Sequence, residues 1–178
     1  SSAAHAVTPL FSLNVFYFTD NFTYGSSPAS QYKRILYDLE AGMPLTKKGK
    51  WILGWNYASY TFSDNTGSET SLKVTDMGPK VTYYFDKDRE WEIALTYNLI
   101  TKATYQPGGG TETELRGTSL KAEAGYLPQM WDNVFMGAKI NYYKASFKEE
   151  ITNQTSLAQV THSRAVIYPT FAVTFRWD

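Results

Sequence analysis

The stretch that most constrains this chain is its last one, Ala165–Asp178, reading AVIYPTFAVTFRWD. Odd positions are apolar: Ile167, Pro169, Phe171, Val173, Phe175 and Trp177. Even positions from 170 are small or polar: Thr170, Ala172, Thr174 and Arg176. A period of two belongs to a strand with two unlike faces. A final strand of this kind needs a partner on each edge, because an open apolar edge invites aggregation. The segment therefore predicts a sheet closed on itself.

The alternation recurs upstream. A first strand is expected over about Leu10 to Thr19, and a second over about Gln31 to Met43. The third and fifth start abruptly at Trp51 and Trp91. The fourth ends through Met77, Val81 and Phe85, with a bulge expected at Pro79, which lacks an N–H for the ladder. The sixth carries Leu120 to Tyr126, the seventh Val134 to Tyr142, and the eighth is the terminal stretch. Short turns lie at 44–50, 86–90 and 128–133. Longer polar loops lie at 20–30, 63–70, 105–114 and 147–157. Short and long connections thus alternate between the two ends. The reading is all-β, an eight-stranded antiparallel up-and-down barrel over residues 10–178 behind an N-terminal tail at 1–9. The start of the chain reads as a processed form, with Ala4-His5-Ala6 fitting the tail of a signal peptide.

Composition narrows the medium. The chain has 178 residues, no cysteine and zero formal net charge, which disfavours disulfides, thiolate metal sites and general nucleic-acid binding. It has 14 Tyr and 5 Trp, a strand-favouring balance. No apolar run approaches the roughly 18–20 residues of a spanning helix. A barrel needs only alternate residues to meet lipid.

Three patterns favour a membrane barrel over a soluble one. Trp51, Trp91, Trp131 and Trp177 all fall at the short-turn end, as an inner aromatic girdle would. A second aromatic group, Tyr17, Phe22, Tyr24, Tyr32, Tyr60, Phe62, Tyr105, Tyr143 and Phe147, falls at the opposite strand ends. The polar face is rich in Gly and Ala, which suits a narrow lumen. Its mid-strand charges balance, Asp38, Glu40, Glu92 and Glu123 against Lys80, Lys121, Lys139 and Arg176. Charges withdrawn from water must be paired, so these eight read as an internal polar plug, filled out by Asn14, Asn56, Asn98, Asn141 and Tyr84.

With strand alternation, girdles and turn asymmetry in place, residues 10 to 178 resemble the small eight-stranded outer-membrane proteins of the OmpA/OmpX type. The terminal F-x-V-x-F-x-W resembles the signal read by the outer-membrane insertion machinery, with Asp178 added after the aromatic. The resemblance implies a bacterial outer-membrane location and that machinery as an assembly partner.

Candidate sites are few. Lys33, Lys73, Arg116, Lys144 and Lys148 fall at upper strand ends on the lipid side, where lipopolysaccharide phosphates would meet them; plain snorkelling gives the same pattern. His162-Ser163 prompts comparison with barrel lipid A deacylases, but adjacent residues point to opposite faces and no carboxylate follows at a useful spacing. The pairs Asp38/Glu40 and Glu149/Glu150 read as plug and solvated loop. Asn21-Phe22-Thr23 and Asn153-Gln154-Thr155 match the glycosylation sequon without consequence in a bacterial setting. No metal or cofactor is expected. The expectation is a monomeric, non-enzymatic barrel with a structural or surface-interaction role, contacting outer-membrane lipids and no nucleic acid. A narrow, porin-like pore is the alternative; a lipid-modifying enzyme or a soluble ligand-binding barrel ranks lower.

Overall fold

A computed structural model describes residues 9–22, 30–46, 49–65, 70–152 and 156–177. The N-terminal tail through Thr8, including Ala4-His5-Ala6, together with Thr23, Tyr24, Asn153-Gln154-Thr155, Asp178 and the side chains of Asn21, Phe22 and Tyr32, for which the sequence raises expectations, lies outside the described residues.

The described chain is all strand: β1 Leu10–Phe22, β2 Ser30–Pro44, β3 Trp51–Asp64, β4 Thr70–Tyr84, β5 Trp91–Gln106, β6 Thr113–Tyr126, β7 Gln129–Trp131, β8 Val134–Thr152 and β9 Ser156–Arg176. Each long strand pairs antiparallel with its neighbour, β6 pairs with β8, and β1 pairs with β9. The ring closes on eight strands, as expected. The small β7 was not expected; it folds back on the start of β8, so Trp131 sits in a strand rather than a turn. Asn133, at φ 65°, makes the reversal.

Alternation sets the two faces. Leu53, Trp55, Ile93, Leu95, Ile140 and Phe171 point outward and are exposed, while Asn14, Asn56, Thr96, Asn98 and Asn141 point inward and are buried. The polarity is thus inverted relative to a soluble barrel. A continuous apolar belt of this kind is stable only against lipid. Trp51, Trp91, Trp131 and Trp177 are all exposed at the short-turn end. Trp51 packs tilted against Tyr83, and Trp91 against Tyr126, each at 4.6 Å between centroids.

Irregularities fall where the sequence allows them. The β4–β5 register shifts between Met77 and Lys80, around Pro79. Gly78 is obligatory there, since a Cβ would collide with the backbone of Tyr97 and Asn98. A second shift on β5, between Asn98 and Thr101, leaves Leu99 and Ile100 both exposed. The strands outrun the sequence reading at the top. The segment expected to be a polar loop at 147–157 is mostly strand, because β8 runs to Thr152 and β9 starts at Ser156. Their ladder has 18 pairs, the longest in the barrel.

Candidate functional site

The lumen is layered. Near the short turns two apolar clusters close it, Leu10 with Ile52 and Tyr84, and Leu127 with Phe135 and Ala172. Above them lie the ionic residues. All eight expected members, Asp38, Glu40, Lys80, Glu92, Lys121, Glu123, Lys139 and Arg176, are buried. They come from six strands and meet because every second residue points into a narrow tube.

Lys80 is the hub. Its Nζ lies 2.8 Å from Glu40 Oε2 and 2.7 Å from Glu123 Oε2. Thr82 Oγ1 donates to the other Glu40 oxygen at 3.3 Å. Lys121 pairs with Asp38, lies 3.4 Å from Glu123 and donates to Asn56 Oδ1 at 3.4 Å. Lys139 and Glu92 form a separate pair at 2.5 Å. Arg176 sits lower, its guanidinium 3.3 Å from the Phe135 ring centroid and 4.7 Å from that of Tyr84, donating to the Arg89 carbonyl at 2.5 Å.

The expected balance of four against four needs correction. Asp76 is also fully buried, beside the hydroxyls of Thr101, Tyr143 and Ser119. Among the described buried residues the lumen holds five carboxylates against four bases. Asp76 shares its face with Gly78 and Lys80, so parity could have found it; the start of its strand was not legible.

A third, apolar layer caps the charges. Leu36, Val74, Ala103, Tyr143, Phe147 and Tyr168 form one buried cluster. This corrects the upper girdle. Tyr17 and Tyr105 are exposed as expected, but Tyr143 and Phe147 are buried in that cluster, Tyr60 packs against it, and Phe62 faces the lumen. Above the cap is a cavity of about 40 Å³ between Phe16, Tyr60, Val166 and Tyr168. Tyr60 and Tyr168 approach at 3.3 Å between hydroxyls. Arg34 and Arg164 stand at its upper edge, 5.5 and 5.4 Å from the Phe62 ring centroid. Sequence reasoning did not single out this pair, although Arg34 shares a face with Leu36, and Arg164 with Val166.

The other candidates are scattered. Lys73, Arg116, Lys144 and Lys148 are exposed and Lys33 is half-buried. Arg116 is held by Glu114 at 2.5 Å. His162 has a carboxylate after all: Glu150, from the facing strand, lies 3.4 Å from its Nε2. Ser163 is on the opposite face of β9, so the two hydroxyl and imidazole groups are not brought together. No cluster of three metal-ligating side chains occurs among the described residues.

No protein-family model matches the chain, and no curated protein does. Solved structures do. Neisserial surface protein A matches over 96% of this chain and 97% of its own, with TM-score 0.55 and 15% identity. The fold is that of a small outer-membrane β-barrel. The outer membrane protein AlkL, determined in DMPC bilayers, covers 99% of this chain and 93% of its own at TM-score 0.47 and 9% identity. The β domain of the Bordetella autotransporter BrkA covers 97% and 99%, at TM-score 0.45 and 9% identity.

Proposed function

We propose that this outer-membrane-type barrel resides in a bacterial outer membrane and serves there as a non-enzymatic, non-conducting scaffold that acts through its surface. The observation that carries this is the layered lumen. A solute crossing the lumen would have to pass the apolar residues near the short turns, the buried ionic residues and the apolar cap above them. Planar-bilayer recording tests it: the barrel should be silent, and discrete steady conductance would establish the pore instead.

The same reading gives Lys33, Lys73, Arg116, Lys144 and Lys148 the task of meeting lipid phosphates. Their outward position at the upper strand ends supports it, together with the strength of charge-assisted bonds to phosphate. Lipopolysaccharide should protect Lys33, Lys73, Lys144 and Lys148 from amine modification. Equal labelling with and without it would leave only snorkelling.

A further inference from the structure

We propose that the barrel wall opens sideways between β1 and β9, and that the opening takes a long-chain carboxylate, with its head group at Arg34 and Arg164 and its tail in the bilayer. This goes beyond the scaffold reading and does not depend on whether the lumen conducts.

The seam is the first observation. The β1–β9 ladder runs only from Leu10↔Arg176 to Val15↔Phe171, six pairs. The other ladders between long strands have 12 to 18. Yet β1 continues to Phe22, and β9 begins at Ser156. Two residues past the last pair is Pro169, which has no N–H to extend the ladder toward β1. Its register partner on the other side is Ile140 of β8. The wall is therefore joined at the short-turn half and not at the upper half. A backbone edge left open at membrane depth is costly in lipid unless something covers it.

The cavity is the second observation: one side of it lies behind this seam, and the other is built from β2 and β3 through residues such as Leu36, Tyr60 and Phe62. Phe16 comes from β1, while Val166 and Tyr168 come from β9. The Phe16 and Tyr168 rings approach at 6.3 Å inside the gap. Outside it, Tyr17 and Ile167 are among the most exposed apolar side chains of the barrel. The path from cavity to lipid is thus lined by apolar groups on both strands.

Size and charge choose the occupant. A cavity of about 40 Å³ is far below the roughly 150 Å³ that holds a benzene ring. Only the first carbons of a chain fit, so the rest must leave through the seam. At the upper edge, two guanidinium groups flank one aromatic ring. Guanidinium forks match a planar carboxylate. A molecule with an anionic planar head and one apolar chain satisfies both ends.

A palmitic acid analogue bearing a diazirine on its chain, in nanodiscs of zwitterionic lipid, tests the assignment. After photolysis, peptide mapping should find adducts concentrated on 16–18 and 164–168. The corresponding methyl ester should label these about tenfold less, the loss of one charge-assisted hydrogen bond. Arg34→Gln with Arg164→Gln should reduce acid labelling to the ester level. Val166→Trp should fill the cavity and abolish it, while Leu95→Trp, on the belt, should not. Each variant is checked for folding by heat-shifted migration on detergent gels. If the arginine variant does not fold, the ester comparison on the parent protein decides. Labelling spread evenly round the belt, or equal labelling by acid and ester, overturns the proposal. Equal labelling by a two-chain anionic lipid overturns the single-chain assignment.

Discussion

Lys80 on β4 and Glu40 on β2 meet at 2.8 Å although β3 lies between their strands. The contact spans the curve of the wall from inside, so it ties strands that share no ladder. Lys80 also reaches Glu123 on β6, and Lys121 on β6 reaches Asp38 on β2. Side-chain bonds therefore lace β2, β4 and β6 across the lumen, independently of the backbone hydrogen bonds around it.

Breaking this lacing on one side leaves buried charge without a partner. Lys80→Met should destabilise the barrel by about 3–5 kcal/mol, because Glu40 and Glu123 lose their common cation. Urea unfolding in detergent micelles measures it. A Lys80→Met barrel as stable as the parent, and equally silent in a bilayer, would mean the charges are not a structural plug.

The pair Glu92–Lys139 is separate from the hub and gives a cleaner measurement. Glu92→Gln and Lys139→Met should each destabilise, and the double variant should cost less than their sum. A coupling of at least about 1 kcal/mol is expected for a buried contact of this kind. Strict additivity would show that the two groups do not depend on each other.

The turn between β4 and β5 should carry an acid-sensitive cap. Slight burial pushes the Asp86 carboxyl up, but the backbone N–H groups of Glu90 and Trp91, each at 3.0 Å, donate to it and hold it below the usual carboxylate range. A group with a lowered folded pKa stabilises above its unfolded value of about 3.9 and loses that contribution as pH falls through the folded one. Asp86→Ala should therefore lower the melting temperature at neutral pH and match the parent in strong acid. A gap that stays constant across the acid range would remove the carboxylate from the account.

Close backbone approach makes a second kind of test. A Cβ on Gly137 would overlap the Tyr126 carbonyl and Leu127 Cα, where β6 leads into the short turn against β8. Both are backbone atoms and cannot rotate away. Gly137→Ala should cost about 1–3 kcal/mol, while Gly109→Ala, with nothing within 4 Å of its Cβ, should disturb only a left-handed loop position. Heat-shifted migration read across a temperature series compares the two.

The lower half of the barrel was legible because one simple rule operates there. Between the short turns and the ionic layer each strand alternates without interruption, so Glu92, Lys121 and Arg176 could be assigned to the lumen by parity alone. Higher up the rule fails for physical reasons. The shift on β5 places Leu99 and Ile100 both outward, which resets the count. Around Phe16, Tyr60 and Tyr143 the lumen itself becomes apolar, so a face can no longer be told by polarity. That is why aromatics assigned to the upper girdle proved to cap the charges. The mouth arginines escaped notice for the same reason, since each belongs to a strand face that changes character along its length.

The long β8–β9 ribbon has a consequence for reach. β9 alone counts 21 residues, which at about 3.3 Å each extend roughly 70 Å. Leaning about 45° from the membrane normal, such a strand still climbs some 50 Å, about twice the height of an outer-membrane hydrocarbon band of about 25 Å. β8 starts and β9 ends at the tryptophan level, so the surplus of a bilayer-spanning barrel would stand beyond the far side as a paired mast. His162 and Glu150, 3.4 Å apart, lie on this upper stretch of the ribbon and so are open to whatever meets it from the aqueous side.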